Sequence, residues 1–469
     1  MTLTPSSSST PKTDLLGAPA RRLYVLGAVL AAGLTVCSRS SGRGGPSFLI
    51  PLAIAGVAYL LAIREFFSTP SFPKRVIVIG LALAAGWQLL FLLKPPGSDD
   101  DIHRYVWDGR VQRLGYNPYV AVPSDPTLAW LHTAETRTLN NPSLPSPYPP
   151  GAELFFRAVT AIHESALALK VAFVICDWAI VVVLWDDLRR SRHGAHWVLA
   201  YAWHPLLATE VAGSGHVDIV GALLLVLSAA ALARRRRAAA AVALALAVGV
   251  KLLPIVLLPL YWKRVRIRDG ALAAFVLGLL YLPFFGRGRI PIGSLVTYVQ
   301  QFRFNDPVFA VLERVAAPQL IAGLAVLAGF LVAVWLRSKS SGAPSDSFAW
   351  PMAGSLLCAP VVYPWYLLWM LPFLHPNAPK GSPASPGSPA SPVLACWGRK
   401  SGASGTPMRP VSTLPITIWT VSIIPTYYVW HLRTLGRPWS LPGWVLLLEY
   451  GSVAAAAAML ALRQLRRRS

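Results

Sequence analysis

Charge is what this chain has least of. Only 13% of its 469 residues are Asp, Glu, Lys or Arg, against roughly 25% in a soluble domain, and this excludes an ordinary water-soluble fold. Acids are scarcer than bases, 20 against 43. Cysteine is also sparse: Cys37, Cys176, Cys358 and Cys396 are widely spaced, and the first three lie inside apolar runs where a thiol behaves as a small hydrophobe. Neither a disulfide framework nor a zinc site follows from that pattern. The segment before Arg21-Arg22 is rich in Ser, Thr and Pro, too long and too polar for the start of a typical cleaved signal peptide. The first apolar run is therefore expected to stay.

What is abundant is apolar sequence: 54% of residues are hydrophobic and the mean hydropathy is +0.50. The formal charge of +23 would point to nucleic acid in a soluble protein. Here the bases sit in short clusters beside apolar runs, the pattern of the positive-inside rule, so membrane lipids are the expected partner and nucleic acid is not. The chain reads as an all-α polytopic membrane protein. A span needs about 20 apolar residues, and runs of suitable length occupy 23–38, 48–63, 76–93, 166–185, 197–211, 216–233, 269–285, 317–336, 411–430 and 442–462. Arg21-Arg22, the bases at 64, 74 and 75, and Arg189 to Arg192 set both termini in the cytoplasm and the loop 95–164 outside.

Two stretches break the simple count. Residues 238–262 lie between Arg234–Arg237 and Lys263–Arg266, two clusters that both favour the same side, with Lys251 and Pro254 in the middle. We read a re-entrant pair of half-helices, each about 12 residues and 18 Å long, that lifts Lys251 toward the outer face. Residues 348–374 repeat the pattern around Pro360-Val361-Val362-Tyr363-Pro364-Trp365-Tyr366. The expectation is about ten full spans plus two re-entrant pairs, up to 14 helices in all. The organisation is a disordered tail 1–21, a transmembrane catalytic module 22–374, a disordered linker 375–410 of Gly, Ser, Pro and Ala, and C-terminal helices with a basic tail over 411–469.

Chemistry is concentrated in one polar stretch, Ser98-Asp99-Asp100-Asp101-Ile102-His103-Arg104-Tyr105-Val106-Trp107-Asp108, which follows the third apolar run. Spacing predicts a helix from about Asp101 to Leu114, stopped by Gly115 and Asn117-Pro118, with Asp101, Arg104 and Asp108 on one face. Three acids at a helix start also fit mere capping and dipole compensation. The long outer loop 95–164 is expected to lie against the membrane as one or two amphipathic helices. His204, Glu210, His216 and Asp218 gather at the outer end of the next hairpin, and ionisable groups in membrane segments are functional by default. With Lys251, Arg303 of the second outer loop, and the aromatics Tyr363, Trp365 and Tyr366, they suit transfer of a group from a phosphorylated lipid to a hydroxyl. A carboxylate takes the proton and the cations stabilise the departing phosphate.

Several of these motifs carry a resemblance. Asp101 through Gln112 followed by Gly115-Tyr116-Asn117-Pro118-Tyr119, then Tyr148-Pro149-Pro150, His204-Pro205-Leu206 through Asp218, Lys251-Leu252-Leu253-Pro254 and Pro364-Trp365-Tyr366 resemble, in order, bacterial GT-C glycosyltransferases. The likeness is to the family 87 and related mannosyltransferases that use polyprenyl-phosphate sugars. It implies inverting transfer of a hexose, mannose by the resemblance, to a glycan or glycolipid acceptor on the outer face of the bacterial cytoplasmic membrane. The position matching the family's acid is Asp101, with Asp100 next; which of Asp99, Asp100 and Asp101 is the base stays open. The sequence departs from the family in having His103 where Tyr is common and His204 where Asn is common. Arg104, His204, Glu210, His216, Asp218, Lys251, Arg303, Tyr363, Trp365 and Tyr366 are the expected donor-phosphate or substrate contacts. No cofactor is expected: the three acids could ligate Mg or Mn, but no diphosphate donor that demands the ion is implied. The competing class is a polytopic transporter or lipid flippase, which also places charges in membrane helices.

Overall fold

The computed structural model describes residues 17–97, 100–190, 194–286, 291–339, 347–374 and 412–466. The tail before residue 17, Asp99 and the linker 375–410 lie outside the described residues. Among these residues there are helices and no strands, and the one pairing of extended backbone is an isolated bridge between Phe304 and Val361. The chain is an all-α polytopic membrane protein.

Three helices open the chain: α1 (Ala18–Ser38), α2 (Pro46–Ser68) and α3 (Lys74–Leu92). The first two begin with Pro in the first turn, where its missing N–H costs nothing. They pack through small residues: a Cβ on Gly33 would stand 2.7 Å from the Pro51 carbonyl oxygen, so only Gly allows that approach. Next come α4 (Ile102–Arg113), α5 (Pro150–Ile162) and α6 (Ala166–Arg190). Then α7 (Val198–Ala202) leads through a break at Trp203-His204-Pro205 into a π-helical turn, Leu207–Ser214. The helices α8 (Asp218–Ala233), α9 (Arg237–Val250), α10 (Leu258–Tyr261) and α11 (Ile267–Tyr281) follow. After them come α12 (Leu295–Gln301), α13 (Pro307–Leu312), α14 (Pro318–Lys339) and α15 (Ala349–Leu357). The last three are α16 (Leu414–Ser422), α17 (Tyr428–Thr434) and α18 (Gly443–Leu465).

Seven helices among the described residues are long and apolar enough to cross a membrane: α1, α2, α3, α6, α11 with its continuation to Phe284, α14 and α18. Three more of the apolar runs form broken or short segments. They are α7 with its π turn, α8, and α16 with α17, the last pair separated by the turn Ile424–Tyr427. This is why long helices fall short of the ten runs in the sequence: α8 is short, and the other two are interrupted by non-α turns.

Both broken stretches are hairpins. Helix α9 ends at Val250, Lys251 is extended, and the chain returns through the 3-10 turn Leu253–Leu257 and α10. The ends of the loop meet at one level: Ser228 Oγ donates to the Ala240 carbonyl at 2.5 Å and lies 2.6 Å from the Tyr261 hydroxyl. Residues 348–374 do the same. Phe348 and Phe373, at the two ends, are in ring contact at 5.2 Å, and Phe348 is 6.0 Å from Tyr261. The tips, Lys251 and the stretch 358–363, therefore lie together at the opposite end, where backbone freed from helix lines a cavity rather than lipid.

Of the outer-loop helices, α5 has the expected amphipathic character and α4 does not. Nearly every residue of α4 from Ile102 to Gln112 is buried, so α4 is an interior helix and does not lie on a membrane surface. Gly109 lets it dock on α5, because a Cβ there would stand 2.7 Å from the Phe156 carbonyl oxygen. The two-faced helix is α5, which buries Ala152, Glu153, Phe156 and Thr160 and leaves Ile162 exposed.

Candidate active site

A cavity of about 970 Å³ opens where α4, the two hairpin tips, the second outer loop and α17 converge. Its walls include Asp101, Arg104, Tyr148, Lys251, Tyr366 and Trp439. A second flank, from Leu252, Ala325, Val326 and Leu356, is apolar.

Asp101 occupies the residue before α4 yet makes no capping hydrogen bond. The capping explanation of the acidic stretch therefore fails at this residue. Its Oδ1 instead accepts from Asn140 Nδ2 at 2.6 Å, and its side chain is 22% exposed, facing the cavity. Asp100 is different. It is 4% exposed and closed in a two-pronged pair with Arg43, at 2.6 and 2.7 Å, while the Gly97 N–H donates to it at 2.7 Å. Burial pushes the Asp100 carboxyl above its ordinary value, with the Arg43 charge opposing. Of the two adjacent acids only Asp101 lines the cavity; Asp99 lies outside the described residues.

The floor beneath is a buried polar cluster. Arg104 Nε donates to both Asp108 oxygens, at 2.9 and 3.1 Å, and its Nη2 has no partner although the side chain lines the cavity. Gln112 donates to Glu153 at 2.7 Å, and Ser146 donates to the other Glu153 oxygen at 2.5 Å. Burial raises both the Asp108 and Glu153 carboxyls, and the neighbouring Asp108 charge raises Glu153 further. The Arg104 charge opposes both shifts.

The cations fare unequally. Lys251 Nζ bonds Asp218 Oδ1 at 2.7 Å and sits 3.6 Å above the Tyr366 ring, at the cavity wall. It is paired, as a lysine in an apolar bundle must be, but it keeps an N–H toward the cavity because an ammonium has three. Asp218 is buried and also accepts from Trp369 Nε1 at 2.6 Å, so it acts on the cavity only through Lys251. Arg303 lines the cavity, but Glu313 takes its Nε and Nη2 at 2.9 and 2.5 Å, and the carbonyls of Val299, Gln300 and Phe302 take the rest. Its guanidinium donors are taken up within the second outer loop, so it lines the cavity as an already paired cation.

Three sequence candidates stand behind the wall. His204 is buried among helices: its Nε2 is 2.9 Å from Thr420 Oγ1, its Nδ1 accepts the Leu206 N–H, and its ring meets Tyr59. Expected at the substrate, it instead closes the helix break before the π turn. His216 and Glu210 are likewise buried away from the cavity. His216 stacks on Trp365 at 3.9 Å, and Trp365 stacks on Tyr363 at 4.3 Å. Tyr363, Trp365 and Tyr366 do line the cavity.

Sequence reasoning missed several residues. Asn140 and Arg43 carry no local motif, and they matter only because the fold brings them to Asp101 and Asp100. Trp430 and Arg433 of α17 and Trp439 of the loop that follows complete the cavity rim. Their aromatic and cationic character at the end of a span was a signal, though an ambiguous one. Among the described residues, no three His, Cys, Asp or Glu gather as a metal site.

Comparison with known families fits this architecture. The model for the alpha-(1->6)-mannopyranosyltransferase N-terminal domain matches residues 25–265, which contain Asp101, the His204 to Asp218 stretch and Lys251. The model for the MptB C-terminal domain matches residues 310–380, which contain the second hairpin. Searches of curated proteins and of solved structures return no match. The first family model covers more than half of the chain, and the chain belongs to the alpha-(1->6)-mannopyranosyltransferase family of membrane glycosyltransferases.

Proposed function

We propose that this mannosyltransferase-family chain takes its sugar from a polyprenyl-phosphate-linked donor. It passes the mannose to a hydroxyl of a mannose-bearing glycan or glycolipid on the outer face of the cytoplasmic membrane, with inversion. The observation that carries this reading is the place of Asp101: a carboxylate held through one oxygen by Asn140, in a cavity whose wall combines Lys251, Arg104 and an apolar flank. Asp101 removes the acceptor's hydroxyl proton as that oxygen attacks the anomeric carbon. The bond from that carbon to the phosphate oxygen breaks, and Lys251 and Arg104 stabilise the added negative charge. The apolar flank suits the polyprenyl chain, and the aromatic wall suits sugar faces. Because inversion reverses the anomeric centre, an α-linked product requires a β-linked donor.

Cations already in the wall supply what a metal would supply for a diphosphate, so transfer is expected to proceed without divalent ions. The test uses purified protein in lipid nanodiscs with polyprenyl-phosphate mannose and a short mannose oligosaccharide. We expect chain extension, unaffected by EDTA and absent in Asp101→Asn. Extension from GDP-mannose, or loss of activity on chelation, overturns the donor assignment.

A further inference from the structure

Behind Asp101 lies a second acid that the transfer step does not use. The Asp101 oxygen not held by Asn140 faces His216, with Oδ2 and Nδ1 3.8 Å apart. On the far side of the ring, His216 Nε2 is 3.0 Å from Glu210 Oε2. Glu210 is buried and anchored through its other oxygen by the Tyr427 hydroxyl. The ring is 1% exposed and fixed in plane by its stack on Trp365, at 3.9 Å and 8°. Neither ring nitrogen, nor Glu210 Oε2, has an aligned hydrogen-bond partner, so the imidazole is committed to no backbone group. A buried histidine between two carboxylates, one of them at the cavity, costs too much desolvation to be filler. The backbone agrees: Gly215, at φ +74°, turns the chain sharply so that His216 points back at α4.

We propose that His216, placed between Asp101 and Glu210, is a positioning residue that takes the acceptor's proton from Asp101. The inference rests on Asp101 being the base. As the new glycosidic bond forms and the phosphate leaves, the acceptor O–H proton passes to Asp101. Approach of about 1 Å brings Oδ2 and Nδ1 within hydrogen-bond range, and the proton moves to Nδ1. Asp101 is thereby a carboxylate again, and the imidazolium sits against the Glu210 carboxylate, the arrangement that stabilises a transient imidazolium in hydrolase triads. After product release the proton returns through Asp101 to cavity water, so the net change is loss of one proton from the acceptor to solvent. Other charges near the ring are already compensated, since Asp100 is closed on Arg43. The π-helical turn that carries Glu210 has a reason here: an extra residue in the turn brings Glu210 and His216 to one side, and the His216 N–H bonds the Glu210 carbonyl at 2.9 Å.

The test measures turnover and KM for both substrates in purified His216→Gln, His216→Ala and Glu210→Gln. The expected result is a 10- to 100-fold loss of kcat with both KM values within about twofold of wild type. In His216→Ala, imidazole fills the ring-shaped space beside Trp365 and restores part of kcat. The similarly shaped but far less basic 1,2,4-triazole does not. Equal rescue by both, or wild-type kcat in His216→Gln, overturns the proposal. If His216→Ala fails to fold, the two Gln variants decide by the same loss or retention of kcat. Failure of the base assignment shows separately, as retained activity in Asp101→Asn.

Discussion

Arg43 and Asp100 form a two-pronged ion pair at 2.6 and 2.7 Å, joining the link between the first two helices to the start of the acidic stretch. That pair separates the two adjacent acids, because it draws Asp100 inward while Asp101 faces the cavity. Arg43→Met strips the counterion from a buried carboxylate and is expected to destabilise the protein by about 3–5 kcal/mol. Thermal unfolding in detergent should show a lowered midpoint. Asp101→Asn should unfold like wild type and transfer no sugar. Equal stability of Arg43→Met and wild type would remove Asp100 from the structural role.

Gly221 and Trp369 supply a second test. A Cβ on Gly221 would stand 1.8 Å from the Trp369 ring, and this ring donates to Asp218, the partner of Lys251. Gly221→Ala must push the indole aside, at about 1–3 kcal/mol of overpacking. It should also slacken Lys251. The expected result is a lower unfolding midpoint together with reduced turnover, and a variant with normal values of both would show that the indole has room to move.

The fold was legible wherever a single helix could satisfy both hydropathy and charge. α1, α2, α3, α6, α11 and α14 fall on the apolar runs, and the two hairpins followed from basic clusters at both ends of one short segment. The site was legible only in part. Asp101, Lys251, Tyr363, Trp365 and Tyr366 announce themselves by polarity or by a proline break, and all line the cavity. Arg303 and His204 carried the same signals, yet Arg303 lines the cavity already paired and His204 is buried behind its wall, because a polar residue near a membrane does not say which neighbour will satisfy it. Asn140 and Arg43 were invisible because their roles depend on contacts across 39 and 57 residues of chain. The burial of α4 was hidden for a related reason: its charges are neutralised pairwise, by Arg104 with Asp108 within the helix and by Arg110 with Glu164 after α5.

The hairpin around Lys251 has a labelling signature. Ser228, Ala240 and Tyr261 meet at one end of the bundle, so Arg234 and Arg264 belong to the side opposite Lys251. Single cysteines at positions 234, 251 and 264, introduced after replacing the native thiols, can be treated with an impermeant thiol reagent on intact cells. Position 251 should react from outside, and 234 and 264 only after permeabilisation. Reaction at 264 alone from outside would make residues 238–262 an ordinary span.

Lys251 is bound to Asp218 at 2.7 Å, and this makes its single mutants ambiguous. Lys251→Met removes a cation from the cavity but also leaves a buried carboxylate alone, at a cost of about 3 kcal/mol or more. Lost activity could then come from either cause. The double variant Lys251→Met/Asp218→Asn separates them, because the neutral amide can still accept from Trp369 through its carbonyl oxygen. If Lys251 stabilises the leaving phosphate, the double variant recovers the unfolding midpoint but not the turnover. Lys251→Arg should keep part of the turnover, since the charge remains while the planar fork fits the site less well. If the double variant transfers mannose at the wild-type rate, the lysine serves only to neutralise Asp218. Arg104, which lines the same cavity, would then meet the phosphate in its place.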